Sequence, residues 1–166
     1  QIRTMENSNH MAFWTAIGAE PTPLAWAEVY FALQSGTITA EENAADTIVG
    51  ANLNEVQKYL AETNHILYVN QISINKDSWD ALDPAYQAAL EQAVTEAIAE
   101  MREKLVTIDS DNKQLLQNNG MTLITYDKSF YEEVLGLDGV KELYSQIDTD
   151  TNGLAATLQK ELGVNQ

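Results

Sequence analysis

GAEPTPLAWAEVYFALQSG, residues 18–36, changes from one backbone habit to another within a few residues. Gly18 is a stop signal for the segment before it. Pro21-Thr22-Pro23 forces an extended stretch, because each proline fixes its own φ and disfavours helix in the residue before it. From about Ala25 to Gln34 the apolar residues Val29, Ala32 and Leu33 recur at helical spacing, and Ser35-Gly36 closes the run. An extended piece that feeds directly into a helix is one unit of a strand–helix alternation.

The alternation continues on both sides. Upstream, residues 1–6 read as a short strand with Ile2 and Met5 apolar, and Asn7 to Asn9 offer N-cap chemistry. A helix follows with Met11, Trp14 and Ile17 on one face. Downstream, Thr37 to Ala40 is strand-like. Short helices are expected over Ala44–Val49 and Asn54–Leu60, the second burying Val56, Tyr59 and Leu60. Ile66 to Ile74 is rich in β-branched and aromatic residues and reads as a strand. Asp77 can cap a turn around Trp79. Asp83-Pro84 opens a helix that runs to about Asn118, with proline at the favoured first position. Met121 to Tyr126 is a strand, and 128–162 is helical with breaks at Gly136, Gly139 and Gly153. Alternating elements make the class α/β. The long helix exceeds what a body of 166 residues can cover, and it would fit better if it also covered a second lobe.

Charge and composition exclude several functions. The net charge is -16, from 25 acidic and 9 basic residues. Such a field repels nucleic acid and anionic membrane surfaces. Cysteine is absent, which removes disulfides, thiolate metal sites and cysteine nucleophiles, and two histidines do not make a multi-histidine metal site. No cofactor is implied. No apolar run is long enough to cross a bilayer. Gln1-Ile2-Arg3 lacks the features of a signal peptide, so the chain reads as a mature product or a piece of something longer. No nucleophile elbow, zinc helix, phosphate loop or dinucleotide fingerprint is present, and the many carboxylates read as a solvated acidic surface rather than as acid–base machinery.

Two places carry candidate chemistry. Asp148-Thr149-Asp150-Thr151-Asn152-Gly153 matches the first half of a calcium loop, but Gln159 stands where the bidentate glutamate belongs. A polar turn capping a terminal helix is the competing reading; a calcium-dependent or helix-mediated interaction module is the alternative function. Arg3 is one of two arginines in the chain. It is either a surface residue or a fixed carboxylate receptor, since guanidinium offers two parallel N–H donors to a carboxylate's two oxygens.

The run Ile2-Arg3-Thr4-Met5, the stretch Gly18 to Tyr30, Ala32-Leu33-Gln34-Ser35-Gly36 and Glu41-Glu42-Asn43 together resemble the DctP-like solute-binding proteins of TRAP transporters. Glu55 to Leu60, Asn64-His65 and Trp79-x-x-Leu82-Asp83-Pro84 look like the segments that follow in that family. The family usually has Asp-Gly before its Glu-Asn pair and Pro after it; Thr39-Ala40 and Ala44 stand there instead. The match falls on the second half of the family's length.

The resemblance implies a non-enzymatic, periplasmic receptor of the type II-like periplasmic-binding-protein class, whose long helix spans two lobes. It implies that the N-terminal lobe is missing from this sequence. Residues 1–68 would be the first part of the ligand-binding lobe, 69–108 a strand and long helix reaching toward the other lobe, and 109–166 the return. It implies a small organic carboxylate as ligand (a C4-dicarboxylate, keto acid or sugar acid) and the TRAP membrane subunits as partners. By position Arg3 resembles the carboxylate-binding arginine, Asn43 its hydrogen-bonding companion and Trp26 the aromatic of the pocket, with His65 and Asn7 near the ligand. Each keeps an ordinary alternative: Trp26 as a core aromatic, Asn43 as a helix cap, and His65 as a satisfied histidine near a strand start.

Overall fold

The computed structural model describes residues 1–66 and 69–161. Among them the chain runs β1 (Ile2–Thr4), α1 (Ser8–Ala16), β2 (Pro21–Pro23), α2 (Val29–Ser35), β3 (Ala40–Glu41), α3 (Ala45–Gly50), β4 (Tyr59–Ala61), α4 (Lys76–Asp80), α5 (Pro84–Asn118), β5 (Thr122–Ile124), α6 (Lys128–Gly136), α7 (Asp138–Asp150) and α8 (Leu154–Glu161). The expected α/β alternation is present.

β1 lies between β2 and β3 in a parallel sheet. Ile2, Arg3 and Thr4 stand opposite Pro21, Thr22 and Pro23, and Ile2 and Arg3 stand opposite Ala40 and Glu41. The two prolines sit on an edge strand, where a missing N–H costs nothing. α1 carries the chain from β1 to β2, and α2 carries it back across β1 to β3. Right-handed crossovers running in opposite directions place their helices on opposite faces of a sheet. Accordingly α1 packs against α7, while α2 joins a core of Val29, Leu33, Ile38, Ala45, Ile48, Leu53, Leu116 and Met121.

Local signals explain where the helices begin and end. Asn7 Oδ1 accepts from the backbone N–H groups of Asn9 and His10 at 3.0 and 3.1 Å, which caps α1. Asn7→Ala is expected to destabilise the protein by about 1 kcal/mol, read as a lower denaturation midpoint with an unchanged slope. Gly36 ends α2 in the left-handed region at φ 75°. Asp83 Oδ1 accepts from Ala85 N at 2.8 Å and starts α5.

Several expectations need correction. Residues 54–60 are not a helix. Leu53–Glu55 form a single 3₁₀ turn, and Tyr59–Ala61 form β4, paired in parallel with Thr122, Leu123 and Ile124 of β5. Val56, Tyr59 and Leu60 have helical spacing, but three residues are too few to outweigh a strand partner. Tyr59, expected buried, is 65% exposed. The described residues of 66–74 join neither ladder, and Tyr68 of that expected strand and Leu162 at the end of the expected last helix lie outside the described residues. The expected strand over 37–40 is displaced to Ala40–Glu41. Gly139 does not break a helix: α6 and α7 part at Leu137, whose backbone is extended. Gly139 lies in the first turn of α7, where a Cβ would stand 3.0 Å from that of Ala16 on α1. Its bare backbone lets the two helices meet.

α5 has 35 residues, hence a length of about 52 Å at 1.5 Å per residue. Leu116, near its C-terminal end, is fully buried, whereas Tyr86, Leu90, Ile98, Met101, Leu105 and Val106 along its earlier turns are exposed.

Candidate functional site

In an open α/β sheet, ligands lie outside the carboxyl ends of the strands, where successive crossovers diverge. Here that place is between β1 and β3. The residues delivered to it are Arg3 from β1, Trp26 from the turn after β2, and Glu41, Glu42 and Asn43 from the end of β3.

Arg3 is 5% exposed. Its Nε donates to the backbone carbonyl of Leu24 at 2.9 Å, and its guanidinium carbon lies 5.6 Å from the centre of the Trp26 ring. The surface alternative for Arg3 is therefore excluded. The carbonyl and the indole face fix the direction of the guanidinium. Among the described residues the Arg3 side chain makes this one hydrogen bond, through Nε, and forms no ion pair, so its terminal nitrogens keep their donors for another acceptor. Trp26 is 43% exposed and is not a core aromatic.

Asn43 does not cap α3. Ala44 holds the N-cap position, with no side-chain bond to the helix. The Asn43 amide instead donates from Nδ2 to Glu41 Oε2 at 2.6 Å. Glu41 is the ladder partner of Arg3. Burial pushes its carboxyl above the ordinary range, and the Glu42 charge adds to this. The Asn43 bond and the Arg3 charge pull the other way without cancelling the rise.

Glu42 is 6% exposed. Both histidines of the chain converge on it: His65 Nε2 lies 3.5 Å from Oε2 and His10 Nδ1 lies 3.9 Å from Oε1. A buried carboxylate needs a compensating charge or hydrogen bond, and these imidazoles are the nearest groups able to supply one. The His65 ring is held on three further sides: Nδ1 is 2.7 Å from Thr63 Oγ1, Phe13 stacks on it at 5.4 Å, and Trp14 meets it edge-on at 4.9 Å.

A cavity of about 210 Å³ opens beside Asn43 and Glu42, walled by Leu60, Thr63, His65 and Lys113 among others. Burial pulls the Lys113 ammonium down in pKa, but its bonds to Asp109 and Glu62 outweigh that and hold it above its ordinary value.

The structure thus brings four of the five candidate residues to one region. Arg3 and Trp26 stand together, Glu41 links Arg3 to Asn43, and His65 follows through Glu42. Asn7 stands apart as the cap of α1. Glu41, Glu42 and His10 escaped the sequence reading as site residues. A usable signal existed in the acidic pair directly preceding Asn43 at the end of a strand.

The calcium reading is corrected by the same geometry. Asp148 and Asp150 lie in the last turn of α7, not around a loop. Asp148 Oδ1 accepts from Ala156 N at 2.8 Å and so caps α8, and Asp150 Oδ1 accepts from Gln146 Nε2 at 2.9 Å.

Residues 1–136 match the family described as "Bacterial extracellular solute-binding protein, family 7". A solute-binding protein of Roseobacter denitrificans is 34% identical over 119 residues, covering 72% of this chain and 37% of the relative. The 2,3-diketo-L-gulonate-binding periplasmic protein of Escherichia coli is 33% identical over 138 residues, covering 82% and 42%. Among solved structures, the Roseobacter denitrificans TRAP periplasmic solute-binding protein with bound L-galactonate superposes with a TM-score of 0.83 at 28% identity, covering 95% of this chain and 51% of that one. A Polaromonas protein of the same kind, bound to D-erythronate, gives a TM-score of 0.79 at 26% identity, covering 96% and 52%. The chain spans about two-fifths to half the length of these relatives, the extent of one lobe. It belongs to the family 7 extracellular solute-binding proteins, the DctP family of TRAP periplasmic receptors.

Proposed function

We propose that this chain supplies one wall of an extracytoplasmic receptor that captures a small organic carboxylate and delivers it to TRAP membrane subunits. The observation that carries this reading is Arg3: a guanidinium buried at the carboxyl end of the central strand, aimed by Leu24 and Trp26, with terminal donors unspent. Two parallel donors fixed in a water-poor site bind a carboxylate with both charge and geometry. Asn43 offers a second donor, Trp26 a flat apolar face, and His65 closes the far side of the cavity. Asn7 supports the site indirectly by fixing the first turn of α1. The relatives named for 2,3-diketo-L-gulonate, L-galactonate and D-erythronate suggest sugar acids first, with C4-dicarboxylates next.

The test is a thermal shift on the full-length receptor. L-galactonate and D-erythronate are expected to raise the melting temperature in proportion to the logarithm of their concentration, as ligands that bind only the folded state do. The neutral polyol galactitol should leave it unchanged. Equal shifts from acid and polyol would mean that the carboxylate is not what the site reads.

A further inference from the structure

Glu41 is an acidic side chain joined directly to two proposed ligand-binding residues, Arg3 and Asn43. It stands opposite Arg3 in the parallel ladder, and it already accepts the Asn43 hydrogen bond at 2.6 Å. A carboxylate ligand seated on Arg3 and Asn43 must therefore share both with a carboxyl group of the protein. We propose that Glu41 takes up one proton from solvent when the ligand binds, so that capture of a carboxylate is coupled to protonation of Glu41. This rests on the carboxylate reading of the site.

The physical argument has two parts. Like charges confined to one site cannot both stay ionised, and the pair then holds one proton between its members. Which member holds it follows from the surroundings. The groups that favour ionised Glu41 are Arg3 on β1 and Asn43 on its own segment, and these are the two the ligand engages. Glu42 opposes ionisation, and its own neighbours, His10 on α1 and His65 after β4, face Glu42 rather than Glu41. Burial already favours the neutral acid at Glu41 before any ligand arrives. A sugar acid, by contrast, has a strong carboxylic acid and gains the guanidinium. The protonated Glu41 then has an O–H to donate and becomes a partner of the ligand carboxylate instead of its competitor. The step is a proton transfer: a bond to hydrogen breaks in hydronium or a buffer acid, and an O–H bond forms at one Glu41 carboxylate oxygen.

The sign follows. Ligand raises the pKa of Glu41, so affinity is greatest where Glu41 is protonated in the free protein. It falls as pH rises toward the bound-state value, by up to about tenfold per pH unit.

The experiment is titration calorimetry of the full-length receptor with L-galactonate, in buffers of different ionisation heat, at pH values where the sugar acid is ionised. Measured across a series of pH values, wild type is expected to show an uptake that rises toward one proton per ligand between the free and bound titrations of Glu41, and Glu41→Gln about none at any pH, with an affinity that no longer changes with pH. Wild-type binding without proton uptake overturns the proposal, and so does undiminished uptake in Glu41→Gln, which would place the proton at His10, His65 or Glu42. Either result leaves the carboxylate reading intact. Failure of L-galactonate and the other acids to bind at all would overturn that reading, and this inference with it. The wild-type measurement decides the matter even if the variant folds poorly.

Discussion

Arg3→Ala is expected to weaken binding of L-galactonate or a related acid by about a hundredfold or more, on the order of 3 kcal/mol. The loss comprises two charge-assisted hydrogen bonds and the cost of leaving a ligand carboxylate unpaired in a closed site. Arg3→Lys separates charge from geometry. It keeps the cation but loses the Nε bond to Leu24 and the parallel donors, so it should recover only part of the affinity. Calorimetric Kd values for the three proteins test this, with circular dichroism confirming the fold. An unchanged Kd in Arg3→Ala would remove Arg3 from the site. Arg3 also lies beside half-buried Glu41, so the alanine variant is expected to lose stability as well, and the affinity comparison belongs at a temperature well below all three melting points.

The largest expected effect on stability comes from Leu116→Ala, about 2–5 kcal/mol. Leu116 is fully buried and packs in the cluster with Val29, Leu33 and Ile48. It is the one residue of α5 that is fully enclosed among those described. Truncation removes apolar contacts and leaves a cavity where the helix, α3 and β5 converge. Chemical denaturation reads the effect as a lower midpoint. A change below about 1 kcal/mol would mean that the helix end is free to collapse into the gap.

Much of this architecture is legible in the residues alone. Pro21-x-Pro23 reads as an extended stretch because proline fixes its own φ and disfavours helix before it. Asp83-Pro84 marks the start of α5 because cap and first-turn chemistry coincide there. What escaped depends on partners far along the chain. β4 exists because Leu60 finds Leu123 more than sixty positions away, and no local period reports that. Gly139 reads as a breaker until Ala16 is seen against it. In the site, Arg3 is conspicuous because cations are scarce in so acidic a chain. Glu41 and Glu42 are hidden by the opposite circumstance, since two acids among 25 do not stand out. Only the sheet register shows that one faces the arginine and the other the histidines.

α5 has a mechanical consequence. Its Asp109 and Lys113 border the cavity beside Asn43, and its foot is clamped at Leu116 while its earlier turns project away from the core. Taken as a rigid rod, the helix is a lever anchored next to the proposed ligand cavity. Twenty-nine residues separate Lys113 from Pro84, an arm of about 44 Å, so a tilt of one degree at the cavity displaces the distal end by about 0.8 Å. Displacements too small to see at the carboxylate are magnified along this arm into movements large enough to reposition whatever the far end touches.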